Sequence, residues 1–229
     1  PSSWTWRAQR WFHGGAQRTL VPTPSVRNEL EDRGFSNLVE WRRGVDTELF
    51  RPRSQDFYDL PRPIFLSVGR VAAEKNLEAF LETDLPGSKV VVGDGPARSA
   101  LARRHPEVHW AGFRVGDDLA RHFAGADVFV FHSRTDTFGV VMLEANACGV
   151  PVAAYPVTGP LDVVQPGVTG FLDEDLETAC LRALDLERSA CRRHAESVSW
   201  GSCASILLMN LERIDRSVWE TVRPQLRRA

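Results

Sequence analysis

Residues 126–155, "ADVFVFHSRTDTFGVVMLEANACGVPVAAY", decide the fold of this chain. The apolar run at 127–132 predicts a buried strand, 139–148 predicts a helix that opens with a glycine, and 151–155 predicts a second strand. Both strand runs are apolar at successive positions, which is typical of strands buried on both faces. A strand, a helix and a strand in this order indicate a parallel sheet covered by helices.

The same alternation of strand and helix patterns extends toward the N-terminus. Strand patterns at 64–69, 89–93 and 108–112 are each followed by a helical pattern, at 74–83, 96–105 and 117–126 respectively. We therefore predict an α/β fold with a Rossmann-like parallel sheet, helices on both faces and right-handed crossovers.

After residue 155 the chain is predicted to be mostly helical. The short apolar piece at 167–172 is interpreted as hairpin-like, and helical segments follow at 175–198 and 202–222. In the last segment a roughly helical spacing is kept by Ile206, Met209, Leu211 and Ile214.

The predicted domain organisation has four parts. Residues 63–199 form the Rossmann-like domain, and the proline-rich stretch 51–62 is a linker. Residues 1–50 hold two strand patterns around one helix, which is too little for an independent domain. They are interpreted as the tail of a second, incomplete α/β domain. Residues 200–229 are predicted to be helices that cross back toward it.

Composition limits the classes of function. The net charge is −2, so no global field recruits nucleic acid, and we predict no nucleic-acid partner. No apolar run approaches the ~18–20 residues of a membrane span. The start has no apolar signal sequence and no initiator Met, so the chain is interpreted as a piece of a longer protein or as beginning mid-protein. Four cysteines without CxxC spacing predict reduced thiols and a cytoplasmic protein, with peripheral contact to the inner membrane face left open.

Two carboxylates in the deciding stretch need an explanation. Glu144 is the only charge in the predicted helix, and Asp136 lies eight positions earlier. A buried carboxylate without a partner costs several kcal/mol, so Glu144 is expected to have one. Two vicinal ribose hydroxyls would serve, and so would a cation such as Arg70. If Glu144 binds a ribose, Asp136 would reach a different group of the same ligand, on the far side of that ligand's phosphates.

Two other strand ends carry residues suited to anions. Arg70 and Lys75 follow the strand at 64–69 and could close on one doubly charged oxyanion, although both could also be solvated surface cations. The turn with Gly93 and Gly95 could bind an anion or be a tight turn only. It fails as a dinucleotide fingerprint because Arg98 occupies the position of the third glycine.

The acidic triplet at 173–175 imitates a metal-binding DxD motif. It immediately precedes a predicted helix, where acids favour the positive end of the helix dipole. We interpret it as a helix cap.

Four stretches together resemble a known family: "GVDTELFRP" (44–52), "SVGRVAAEKN" (67–76), "VVGDGPAR" (91–98) and "ADVFVFHSRTDTFGVVMLEANACGVPVAAYPVTGP" (126–160). The chain resembles the retaining glycosyltransferases of family 4, which have the GT-B fold of two facing Rossmann-like domains. The resemblance covers about residues 18–215. It extends over the donor-binding C-terminal domain and the end of the acceptor domain.

The resemblance implies a nucleotide-diphosphate sugar as donor and a sugar or lipid as acceptor. It implies that Arg70 and Lys75 neutralise the diphosphate, that Asp136 faces the sugar and that Glu144 binds the ribose. Because the two cations stabilise the leaving group, we predict neither a metal nor another cofactor. The donor site implied by the resemblance comprises Arg70, Lys75, Gly112, Phe113, Asp136, Phe138, Gly139, Val140 and Glu144.

Two departures from the family pattern matter. Asp136 is present where the family usually has Glu, which moves the carboxylate by about 1.5 Å. The family's glycine-rich loop, acceptor pocket and active-site histidine belong to the front half of the acceptor domain, and His13 is not assigned that role. The chain is therefore expected to bind a donor but to transfer sugar poorly alone.

The sequence around Asp136 looks most like that of a bacterial subgroup that includes mannosyltransferases using GDP-mannose. GDP-mannose is therefore favoured over UDP-glucose as the donor. Two alternatives remain: a non-catalytic nucleotide-sugar module that needs a partner chain, and a GT-B-like epimerase or phosphorylase.

Overall fold

The computed structural model describes residues 3–212. Its strands are Thr19–Val21 (β1), Leu38–Glu40 (β2), Ile64–Val68 (β3), Ser88–Val92 (β4), His109–Gly112 (β5), Val128–Phe131 (β6), Val152–Ala154 (β7) and Gly170–Leu172 (β8). Its helices are Ser3–His13 (α1), Pro24–Asp32 (α2), Leu77–Glu82 (α3), Arg98–Arg104 (α4), Gly116–Gly125 (α5), Val140–Ala147 (α6), Pro160–Val163 (α7), Leu176–Ala183 (α8), Arg188–Ser197 (α9) and Trp200–Met209 (α10), with a 3₁₀ turn at Ala73–Lys75.

The main sheet has six strands in the order β5-β4-β3-β6-β7-β8, and every pairing is parallel. The chain builds outward from β3 through β4 to β5, and then returns to the other side of β3 with β6. The strand order therefore reverses between β3 and β6, which pair through Phe65 and Val128. Ligands of such sheets bind beyond the carboxyl ends of the strands at this point.

The two faces of the sheet are covered by two separate apolar clusters. Alternate strand residues point to opposite faces, so Leu66 and Phe129 join one cluster while Phe65 and Val128 join the other. Burial of both faces explains why the strand patterns were apolar at successive positions. The predicted α/β fold is confirmed.

Helix α6 begins at Val140, directly after Gly139, and ends at Ala147, close to the predicted 139–148. Gly139 has a φ of +78°, and a Cβ there would lie 2.8 Å from the Cε of Met142 and 3.0 Å from the Cζ of Phe131. Only glycine fits this entry to the helix. No side chain caps the helix N-terminus, so its first amides face the end of the sheet without a side-chain acceptor.

Four secondary-structure predictions were wrong in their pairing or their bounds. Residues 167–172 do not form a hairpin, because β8 joins the main sheet in parallel beside β7. The helix predicted over 74–83 is broken at Asn76, whose left-handed backbone (φ 58°) separates the 3₁₀ turn from α3. The helical segment predicted over 175–198 is two helices, α8 and α9. The segment predicted over 202–222 is helical only to Met209, so Leu211 lies beyond α10, and Ile214 is outside the described residues.

The front segment, residues 3–50, has the two predicted strands. Strands β1 and β2 pair with each other in parallel, and α2 lies between them in the sequence. Helix α10 contacts this segment: Trp41 Nε1 donates to the carbonyl of Cys203 at 3.0 Å, and the Cys203 thiol donates to the carbonyl of Arg42 at 2.8 Å. The division into domains remains a proposal.

All four cysteines are unpaired and buried, as predicted for reduced thiols. Among residues 3–212, no helix has both the length and the apolar character needed to cross a membrane.

Candidate functional site

An open cleft of about 230 Å³ lies at the carboxyl ends of β3 and β6, where the strand order reverses. Its volume is just below the ~300–1,000 Å³ of typical small-molecule sites, so it suits one part of a larger ligand. Five predicted site residues line it: Arg70, Lys75, Asp136, Gly139 and Val140.

The ammonium of Lys75 and the carboxylate of Asp136 form the charged centre of the cleft. Lys75 Nζ lies 2.7 Å from Asp136 Oδ1, and both side chains are about 30% exposed (30% and 28%). Burial alone would raise the pKa of Asp136, but hydrogen bonds from Lys75 and Ser133 and the charge of Lys75 outweigh it and keep that pKa below its ordinary value. Asp136 is therefore an anion at neutral pH.

Arg70 lies at the rim of the cleft. Its side chain is 66% exposed, and within the described part of the chain its guanidinium pairs only with Glu74, at 3.4 Å. An exposed pair of this kind contributes little, so the guanidinium can turn to an incoming anion at small cost.

The side-chain carboxylate of Glu144 has no hydrogen-bond or ion-pair partner among residues 3–212. Burial raises the pKa of its carboxyl group to about 7. The alternative that it pairs with Arg70 is not what the structure shows, since Arg70 pairs with Glu74. Glu144 follows Val140 by one helical turn, outside the cleft lining. Cys148, one turn further on, contacts Ala120 of α5, so this side of α6 faces α5.

The remaining predicted residues lie outside the cleft lining. Gly112 ends β5 with a φ of +76°, and Phe113 beyond it is 69% exposed, at the strand end that leads into α5. Phe138 lines a separate small pocket together with Thr23 of the front segment.

The glycine turn after β4 is a tight packing turn. The Gly93 amide donates to the carbonyl of Gly112 at 2.8 Å, and the Gly95 amide donates to Asp94 Oδ1 at 2.7 Å. A Cβ on Gly93 would lie 1.9 Å from the carbonyl oxygen of Gly69. Since both glycine amides have protein acceptors, the structure favours the tight-turn alternative for this stretch over an anion site.

Asp175 caps α8, as the sequence predicted. Its carboxylate accepts hydrogen bonds from the amide of Glu177 at 3.2 Å and the hydroxyl of Thr178 at 2.6 Å. Within residues 3–212 there is no group of three or more His, Cys, Asp or Glu side chains arranged to hold a metal.

His132 is a cleft residue that the sequence analysis did not single out. It directly follows β6, and its ring is buried between Lys75 and Ser67. A signal was present, because Ser67 is a lone polar residue within the apolar strand β3 and it faces a polar residue at the end of β6.

Comparison with known proteins assigns the chain to a family. The profile described as "Glycosyl transferases group 1" matches residues 62–185, more than half of the chain. The chain is 34% identical to the GDP-mannose-dependent alpha-mannosyltransferase of Corynebacterium glutamicum over 182 residues, which is 75% of this chain and 43% of that protein. It is 33% identical to sulfoquinovosyl transferase SQD2 of Arabidopsis thaliana over 246 residues, covering 93% of this chain and 48% of that protein.

The fold is similar to that of solved GT-B structures. The crystal structure of Anabaena Alr3699/HepE in complex with UDP superposes with a TM-score of 0.75 at 19% identity, covering 98% of this chain and 68% of that one.

The chain belongs to the group 1 glycosyl transferases, and its α/β architecture is that of a GT-B protein. It spans about half the length of the curated relatives that it matches.

Proposed function

We propose that this chain carries the donor-binding part of a retaining glycosyltransferase that uses a nucleotide-diphosphate sugar, with GDP-mannose favoured over UDP-glucose. The observation that supports it most directly is the meeting of Lys75 and Asp136 in a cleft at the N-terminus of α6. A cation, a carboxylate and uncapped helix amides suit a pyrophosphate joined to a sugar.

Five of the predicted site residues have these roles in the proposal. Arg70 and Lys75 bind the diphosphate and stabilise the charge that develops on it as the bond to the sugar breaks. An ammonium group has three N–H donors, so Lys75 can hold Asp136 and a phosphate oxygen together. The backbone of Phe138, Gly139 and Val140 contacts the phosphate and the sugar.

Glu144 is proposed to accept hydrogen bonds from the two ribose hydroxyls. Its lack of a partner among residues 3–212 supports this role, because a ligand with two donors would remove the cost of burying its charge. The side of α6 that carries Glu144 faces α5, and Gly112 and Phe113 precede α5. The base is proposed to lie against Gly112 and Phe113.

The relatives support the proposed donor and stereochemistry. A relative at 34% identity is named for GDP-mannose and for an alpha-mannosyl product, whereas the UDP complex cited above is only 19% identical. GDP-mannose is itself an α-glycosyl phosphate, so an α-linked product corresponds to retention. Two cations at the leaving group can do the work of a metal ion there, which supports metal-independent transfer.

Titration calorimetry of the chain with GDP, UDP, GDP-mannose and UDP-glucose tests the proposal. We expect GDP and GDP-mannose to bind, more tightly than their uridine counterparts and equally well with EDTA. Tighter binding of the uridine compounds would overturn the donor assignment, and no binding of any of the four would overturn the proposed function.

A further inference from the structure

The loop that carries Lys75 is joined to the loop that carries Asp136 by a buried histidine. His132 Nδ1 lies 2.6 Å from the backbone carbonyl oxygen of Lys75, and Asn76 Nδ2 donates to the carbonyl of His132 at 3.1 Å. These two reciprocal bonds connect the 3₁₀ turn after β3 to the end of β6. Asp136 follows His132 by four residues.

The hydrogen bonds define the state of the His132 ring. A carbonyl oxygen only accepts, so Nδ1 carries the proton. Burial lowers the pKa of His132 to about 4, so the ring is neutral and Nε2 accepts a hydrogen bond from the Ser67 hydroxyl at 2.8 Å. The ring also stacks on Phe80, with centroids 6.1 Å apart and planes 8° apart. It therefore has one defined orientation.

The Lys75 carbonyl is available to a side chain because the helix is broken behind it. Asn76 is left-handed, and the amide of Ala79 donates to the carbonyl of Asn76 rather than to that of Lys75. The ring of His132 supplies a donor at the point where the helical hydrogen bonding is interrupted.

We propose that His132 is a positioning residue: its Nδ1–H holds the Lys75 backbone so that the Lys75 ammonium stays between Asp136 and the diphosphate. The consequence for ligand binding rests on the proposed function, because it takes Lys75 as a diphosphate ligand. The hold on the loop itself rests on contacts within the chain and does not depend on a ligand.

Two substitutions separate this role from general packing. In His132→Asn the side-chain amide nitrogen occupies the place of Nδ1 and can still donate to the Lys75 carbonyl. In His132→Gln the amide nitrogen occupies the place of Nε2 and reaches Ser67 instead. Both remove the ring from Phe80, so both are expected to lower the melting temperature. Ser67→Ala is the third variant, since it removes the partner of Nε2 and leaves the bond to Lys75.

The first measurement is amide hydrogen exchange at Lys75 and Asn76, whose amides bond within the 3₁₀ turn. In His132→Gln we expect exchange to be about tenfold faster than in the parent chain, as for the loss of one hydrogen bond. His132→Asn and Ser67→Ala are expected to stay within about threefold.

The second measurement is GDP affinity by calorimetry, with UDP as the comparison. We expect about a tenfold loss in His132→Gln and near-parental affinity in His132→Asn. Equal behaviour of the Asn and Gln variants in the exchange measurement would overturn the positioning role. If the parent chain binds neither nucleotide, the proposed function fails, and exchange at Lys75 and Asn76 still decides whether His132 holds the loop.

Discussion

The ammonium of Lys75 lies 2.7 Å from Asp136 Oδ1, and this contact joins two loops that are 61 residues apart in the sequence. The pair lies where β3 and β6 end, in front of the uncapped N-terminus of α6. Each of the two groups satisfies the other. A diphosphate that enters the cleft can add to this arrangement, because the ammonium keeps further donors for it.

Lys75→Gln is expected to weaken GDP binding by about 1.5–3 kcal/mol, or roughly 10- to 150-fold. The variant loses a charge-assisted hydrogen bond and leaves Asp136 as an uncompensated anion near the phosphates. Calorimetry at fixed ionic strength measures the effect.

Arg103→Gln is the matched control for Lys75→Gln. It removes one positive charge from an exposed position on α4, outside the cleft lining, and is expected to change the affinity less than twofold. Equal losses in both variants would show a general charge effect and contradict the assignment of Lys75.

Asp136→Glu is expected to change the sugar part of the ligand contact and not the diphosphate part. The longer side chain moves the carboxylate by about 1.5 Å while its charge can still meet Lys75. GDP affinity should stay within about twofold, and the gain in affinity of GDP-mannose over GDP should fall about fivefold, as for one hydrogen bond. A parallel fall in both affinities would place Asp136 at the phosphates instead of the sugar.

The sheet was predictable because the burial of its strands is visible in their sequence patterns. Runs such as Val128–Phe131 are apolar on both faces, and helix patterns separate them, so the α/β architecture follows from local pattern alone. Strand β8 was not predictable in the same way. A three-residue strand contains no information on whether it folds back on the residues directly before it, as in a hairpin, or pairs with β7.

The site was predictable only in part, for a related physical reason. Strand-end positions pointed to Arg70, Lys75 and Asp136, which all line the cleft. His132 was not predicted, since a polar residue after a strand is usually solvated, and its burial depends on the fold of the Lys75 loop over it. Whether Glu144 pairs with a cation likewise depends on where Arg70 turns.

Glu144→Gln is expected to stabilise the fold at neutral and alkaline pH. The pKa of Glu144 is raised to about 7 in the folded chain, above its ordinary value of 4.5. Between these two values the folded state holds a proton that the unfolded state has lost, so the stability of the parent chain falls as the pH rises from about 4.5 to about 7. Glu144→Gln has no such fall in stability, because a glutamine side chain does not titrate. We expect it to be more stable by about 2 kcal/mol at pH 8 and equal to the parent near pH 4.5.

Urea unfolding at the two pH values measures this difference. Glu82→Gln on α3 is the control for the removal of one carboxylate, because the side chain of Glu82 is 62% exposed. A stability difference for Glu144→Gln that does not change with pH would contradict the raised pKa.

The same Glu144→Gln variant is expected to bind GDP more weakly, by about 1–3 kcal/mol, if the carboxylate accepts ribose hydroxyl bonds. The sharper comparison uses 2′-deoxy-GDP. The parent chain should discriminate against the deoxy compound, and the variant should lose most of that discrimination because the acceptor of the 2′-hydroxyl has been weakened. Equal discrimination by both chains would remove Glu144 from the ribose site.

Gly139→Ala is expected to destabilise the fold by about 2–3 kcal/mol. The new Cβ would lie 2.8 Å from Met142 Cε and 3.0 Å from Phe131 Cζ, and the φ of +78° is itself unfavourable for alanine. Gly15→Ala is the matched control, since a Cβ at Gly15 meets no atom within 4 Å, and it should change stability by less than about 0.5 kcal/mol. Urea unfolding of the two variants measures the difference.

GDP affinity should also fall in Gly139→Ala but not in Gly15→Ala. Relief of the close contacts at residue 139 moves the first turn of α6, whose amides are proposed to meet the phosphate. A Gly139→Ala chain with parental stability would show that the left-handed entry to α6 is not what places this helix at the cleft.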